Sequence, residues 1–187
     1  PGKTGEKWEI PQSSKIVVGT DLFGERGISN PTKIVIKSLK GDFKVNRDPE
    51  NFFSESLSFV KSGAILSSLG SLPAGLAKID RKTIYYGHGM GYKGVRVFSG
   101  VRIDGLLRSV FPIDKKSLRE GLVCIEGVDG YRASFSLSEL VNRVDGCEPL
   151  VMFGDEGEKG RETFSLYADS DMFADRSIKG LNRITLY

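Results

Sequence analysis

Residues 83–110 read TIYYGHGMGYKGVRVFSGVRIDGLLRSV, and four of the eight residues from Gly87 to Gly94 are glycine. The run also holds His88, the single histidine of the chain. Before the glycines, RKTIYYG at 81–87 has the β-branched and aromatic composition of a strand. After them VRVFSG repeats that pattern, and Ile103, Leu106, Leu107 and Val110 then recur at helical spacing. The expected order is strand, glycine-rich loop, strand and a helix over about 103–110 that ends at Pro112. The loop is expected to form one wall of any small-molecule site. Its GMGYKG at 89–94 matches G-x-G-x-x-G. A dinucleotide fingerprint requires a helix to open directly from that loop, so that a pyrophosphate meets the helix N-terminus. A strand pattern follows instead, which argues against that reading.

On the C-terminal side, LVCIEG (122–127) and RASFS (132–136) flank Asp129-Gly130 and predict a β-hairpin. Ser136 with Glu139 makes a capping-box pattern for a short helix through Leu140, Val141 and Val144. LVMFG (150–154) and TFSLYA (163–168) read as strands around the acidic, glycine-rich turn DEGEKG. DSDMFADR reads as a loop, and the chain closes with a strand in SIKGLNRITLY.

On the N-terminal side, KIVVG (15–19) is a strand candidate and FGERG a turn. KIVIK (33–37) alternates apolar and charged residues, and a turn at Gly41-Asp42 leads to FKV as its hairpin partner. Asp48-Pro49 suits a helix start. Phe52, Phe53, Leu57, Val60, Ala64, Ile65 and Leu69 follow at spacings of three and four, so a packing helix is expected over 49–69, stopped by Gly70 and Pro73. No internal repeat or low-complexity tract is expected. Many short strands with a few short helices predict a β-dominated α+β fold in a single domain over 1–187.

The 187 residues suffice for one real core, and the net charge of +3 comes without a basic stripe, so nucleic acid is not an expected partner. No apolar run approaches the roughly 18–20 residues of a membrane span. PGKTGEKWEI shows neither a signal-peptide pattern nor a starting Met, as a mature or internal segment would. Cys124 and Cys147 make neither a metal box nor a disulfide framework. They are read as buried apolar thiols, the alternative being one bridge worth on the order of 3 kcal/mol in an oxidising compartment. Asp169, Asp171 and Asp175 lack the glycine and terminal Glu of a calcium loop. With one histidine, no Ser-His-Asp or Cys-His arrangement can be assembled.

Three stretches, in order, carry a resemblance: SGVRIDGLL at 99–107, DGYRASFSLSEL at 129–140 and FSLYADSDMFADRSIKGLNRITLY at 164–187. Together they resemble the molybdopterin-binding domain of the sulfite-oxidase superfamily over residues 79–187, with 1–78 less well matched. That resemblance implies the family's mixed fold and a bacterial, periplasmic setting, cytoplasmic being the alternative. In the family a cysteine thiolate binds molybdenum about a dozen residues before the glycine of the first motif. Counting back from Gly100 reaches His88. Neutral imidazole is a much weaker partner for high-valent molybdenum than thiolate. Arg102 also stands where the family has proline.

By the same resemblance, Arg176 and Lys179 match basic positions near the pterin phosphate, groups suited to a phosphate monoester; the plain alternative is surface charges beside a strand. Tyr85, Tyr86, Tyr92 and Phe98 line a cavity or pack the sheet. His88 is a ligand, a proton donor or a structural polar group. The expected ligand-binding set is His88, Arg176, Lys179 and Tyr92, with no metal ligand assigned. The expected function is a domain without redox catalysis that binds a small ligand or a protein partner in the old cofactor cleft. The alternative is a molybdopterin-dependent oxidoreductase with atypical ligation at His88. No cofactor is expected under the first reading, and molybdopterin under the second.

Overall fold

The structure, a computed structural model, describes residues 13–35, 44–87, 91–155 and 160–187. It is a strand-dominated α+β fold. In chain order the elements are β1 (Lys15–Ile16), β2 (Ile28–Ser29), β3 (Leu57–Lys61), β4 (Ala64–Leu69), β5 (Lys78–Gly87) and β6 (Gly91–Arg102). Then come α1 (Ile103–Val110), α2 (Lys115–Glu120), β7 (Leu122–Gly127), β8 (Arg132–Ser136) and α3 (Leu137–Val141). The chain closes with β9 (Leu150–Asp155), β10 (Glu162–Tyr167) and β11 (Leu181–Leu186).

Two larger sheets carry the fold. One has the order β4-β3-β11-β7-β8 and the other β10-β9-β6-β5, while β1 and β2 pair by themselves. β11 enters the middle of the first sheet, parallel to β3 and antiparallel to β7. Alternate side chains of these strands point inward, as a half-buried sheet requires. Leu57 and Phe59, Val123 and Ile125, and Ile184 are all buried, and so are Leu106 and Leu107 of α1. Phe59 meets Phe111 edge to face at 6.0 Å, which ties the sheet to the end of α1.

The strand–strand–helix order from 81 to 110 is as expected, and so are the β7–β8 hairpin and the three C-terminal strands. The helix expected over 49–69 is not formed. Asp48 does cap a turn at Pro49–Phe52, accepting from the Glu50 amide at 3.2 Å, but that turn is a single 3-10 turn. Beyond it the chain makes the β3–β4 hairpin, with Lys61 opposite Ala64. Ser62 and Gly63 both have positive φ, 51° and 80°, which gives the twist a two-residue hairpin needs. The helical spacing was a coincidence of two adjacent strands: Leu57 and Phe59 are buried two apart, while Ile65 and Leu66 stay exposed.

Other expectations also change. KIVVG is a strand only at Lys15–Ile16; residues 33–35 and 44–45 are not strand, and 36–43, with the rest of that expected hairpin, lie outside the described residues. The DEGEKG turn falls largely outside them too. α3 ends at Val141, before Val144. Helix α2 was not anticipated, although Asp114 and Ser117 form a reciprocal capping box at 2.7 and 2.8 Å. The expectation of no internal repeat fails as well: the turns at Gly24–Arg26 and Ala174–Arg176 are built alike, each holding an Asp–Arg pair five residues apart.

Candidate functional site

At the foot of the β5–β6 hairpin, Arg81 holds three parts of the chain together. Its guanidinium lies 2.6 Å from Asp169 and donates to the Gly146 carbonyl at 2.8 Å. The Cys147 sulfur is 3.7 Å from the same group. Both charges of the Arg81–Asp169 pair are largely buried, so this pair fixes the loop after β10 and the loop before β9 against the hairpin. Close approach completes the foot: a Cβ on Gly100 would stand 2.5 Å from the Val151 carbonyl oxygen, so β6 can lie against β9 only with glycine there.

Beside this pair opens a cleft of about 260 Å³, lined by Leu76, Ile79, Arg81, Arg102, Asp104 and Gly105 among others. Arg102 sits at the start of α1 and reaches towards two carboxylates. Its Nε is 3.6 Å from Asp104 Oδ1 and its Nη1 is 3.8 Å from Glu148 Oε2. Both distances permit attraction but exceed a hydrogen bond. Glu148 is only 5% exposed, and among the described residues neither Asp104 Oδ1 nor Glu148 Oε2 has a hydrogen-bond partner. A buried carboxylate oxygen left this way costs about 1–3 kcal/mol, more for a full charge. One guanidinium thus stands near two carboxylates that each have one oxygen without a donor among the described residues, while Arg81 is already matched by Asp169. Asp104 lines the cleft and Glu148 lies beside Arg102, and each has one oxygen that can accept a further hydrogen bond.

Of the sequence-predicted set, Tyr92, Arg176 and Lys179 lie within the described residues. His88 lies outside the described residues. Tyr92 is 61% exposed and packs on Tyr86 at 5.7 Å, and Tyr86 meets Phe173 edge to face at 5.9 Å. Tyr85, Phe98 and Tyr167 form a second aromatic group, with Phe98 stacked on Tyr167 at 3.8 Å; this is sheet packing. Arg176 spends Nε and Nη2 on Asp171 at 2.7 and 2.5 Å, and Nη2 also donates to Glu139 at 2.8 Å. Its flat face lies 4.2 Å over Phe135, and the two carboxylates raise its already high pKa further. Lys179 is exposed, with its ammonium 5.9 Å from the Phe52 ring. The cleft residues Arg102 and Asp104 lie inside the SGVRIDGLL motif; Arg102 was noted only as a departure from proline. Glu148 gave no sequence signal beyond being a charged residue before a strand.

Molybdopterin fits these residues poorly. A phosphate brought to Arg176 would meet a guanidinium already enclosed by Asp171 and Glu139, so repulsion offsets the attraction. Cys124 and Cys147 are both free, and burial is the main cause raising each thiol pKa above its ordinary value. Each therefore favours the protonated thiol over the metal-binding thiolate. Among the described residues no group of three His, Cys, Asp or Glu stands together to hold a metal ion, and no helix is long and apolar enough to cross a membrane. The chain matches no protein-family model, and no curated protein matches it.

Proposed function

We propose that this chain is a small-ligand-binding domain of the sulfite-oxidase-like molybdopterin-binding fold, working without redox catalysis. Its ligand is a small organic cation, or a similar hydrogen-bond donor, held by Asp104 and Glu148 beside Arg102. The fold assignment draws support from where the three motifs fall. SGVRIDGLL spans the end of β6 and the start of α1, DGYRASFSLSEL spans the β7–β8 turn, β8 and α3, and the last stretch ends in the central strand β11. The function rests on one observation: among the described residues no donor reaches Asp104 Oδ1, in the cleft wall, or Glu148 Oε2, and Arg102 stays 3.6 and 3.8 Å from them. A ligand ammonium or guanidinium supplies the missing donors as charge-assisted hydrogen bonds.

The test is a thermal-shift screen of the purified chain with 1,4-diaminobutane, guanidinium and agmatine, against acetate and phosphate as anionic controls. The account expects stabilisation by at least one cation and by neither anion, because binding to the folded state alone raises its stability. Stabilisation by phosphate alone would favour the anion site at Arg176 and Lys179 instead. Molybdenum and pterin in protein from its native host would overturn the absence of redox chemistry and direct attention to His88.

A further inference from the structure

The segment 15–35 reproduces 165–185 at a constant offset of 150 residues. Asp21, Phe23, Arg26, Ile28 and Ile34 are identical to Asp171, Phe173, Arg176, Ile178 and Ile184. Further back, GKTGEK at 2–7 shares its glycines and Glu-Lys with GDEGEK at 154–159, two residues out of that offset.

The likeness extends to geometry. Arg26 Nε and Arg176 Nε each donate to the aspartate five residues earlier at 2.7 Å, and in each pair Nη2 lies 2.5 Å from the other carboxylate oxygen. The Asp21 and Asp171 amides each donate three residues back at 3.2 Å. Ile16 faces Ile28 antiparallel as Leu166 faces Ile178. Asn30 and Gly180, also 150 apart, both have φ of 57°, the left-handed turn that sends the chain into its next run.

The two copies differ in what covers them. After Gly180 the chain becomes β11, enclosed between β3 and β7, and Leu166, Ile178 and Ile184 are buried. After Asn30 residues 31–35 are in no sheet, and Ile16, Ile28 and Ile34 are 38%, 52% and 76% exposed. An apolar alternation of this kind is stable in water only when a sheet receives it. The copy is also anchored here. Leu22 and Phe23 amides donate to the Asn142 backbone and side-chain oxygens at 2.7 and 2.9 Å, and Arg26 reaches Ser136 at 2.8 Å. Both copies thus grip α3, Arg26 at its N-cap serine and Arg176 at Glu139.

We propose that residues 15–35 are the closing segment of a second domain of this same fold, carried on the N-terminal side of the same polypeptide. The residues after Asn30 fill the middle of that domain's five-stranded sheet as β11 does here, and α3 with Asn142 forms the joint between the two domains. The same polypeptide is specified because β1 corresponds to the end of β10, which in the C-terminal copy continues directly from β9 and the G-x-x-G-E-K run.

The test starts from the native polypeptide, isolated from its host with antibody raised against the 187-residue chain. Intact mass should exceed 20.5 kDa by a domain, on the order of 10 kDa or more, with the added sequence N-terminal. A mass of 20.5 kDa, whether the protein is monomer or dimer, or an extension only at the C-terminus, overturns the proposal. A second readout uses Ile34→Cys in both lengths. The native-length protein should react with iodoacetamide at least about tenfold more slowly than the 187-residue chain, as burial in a sheet protects the site. Equal rates in the two lengths overturn the proposal as well.

Discussion

Arg102 Nη1 stands 3.8 Å from Glu148 Oε2, near enough to attract that buried carboxylate and too far to donate to it. The gap distinguishes this pair from Arg81–Asp169 at 2.6 Å, whose arginine lines the same cleft as Arg102. A closed pair is structural, while an open one leaves room for a donor from outside. Replacing Glu148 with Gln is therefore expected to leave stability unchanged or raise it, since a neutral amide is cheaper to bury than an unsatisfied charge. Denaturant unfolding checks this, and a loss of more than about 2 kcal/mol would show that the carboxylate already has a partner.

Gly100 and Gly154 separate close approach from open space. A Cβ at Gly100 meets the Val151 oxygen at 2.5 Å, whereas one at Gly154 meets nothing within 4 Å. Gly100→Ala is expected to destabilise by roughly 1–3 kcal/mol, the range of overpacked sites. Gly154→Ala should be neutral or slightly stabilising. Melting temperatures of the two variants give the comparison.

Ser136 caps α3 by accepting from the Glu139 amide at 3.1 Å, and it also accepts from Arg26. Ser136→Ala removes both contacts and is expected to cost about 1–2 kcal/mol. Part of the loss should disappear when Arg26→Ala is present, a coupling that a double-mutant cycle measures directly.

Asp145 is held down to about 2 by the Arg143 guanidinium, with further help from the Cys147 amide, against an ordinary 3.8. A carboxyl whose folded pKa is depressed stabilises the protein above its unfolded pKa and loses that contribution as pH falls through the folded value. The acid side of the stability profile should therefore slope between about pH 4 and pH 2, and Asp145→Asn should flatten that part of it. An unchanged slope would mean that the ion pair does not persist in solution.

Strands β5 and β6, helix α1, the β7–β8 hairpin and strands β9 to β11 were legible because their signals are local: β-branched runs, an Asp-Gly turn, a proline stop. The hairpin at 57–69 was misread because two adjacent short apolar strands mimic helical spacing, and only Ser62-Gly63 marked the reversal. The site was harder to see for a different reason. Arg81–Asp169 and Arg102–Glu148 join residues far apart in sequence, and no spacing rule brings them together. Arg176 was visible as a cation and Asp171 lies five residues before it, but its second carboxylate partner, Glu139, follows only from the packing of α3 against the loop after β10. The repeated Asp–Arg turn was present in the sequence all along, diluted by sparse identity and a separation of 150 residues.

The most direct measurement is isothermal titration of 1,4-diaminobutane into wild type and Asp104→Asn, each shown to be folded by circular dichroism. The account predicts measurable binding to wild type and a loss of about tenfold or more in Asp104→Asn, the scale of one charge-assisted hydrogen bond. Equal affinity in the two proteins, or no binding to wild type by this or any other small cation, would contradict it.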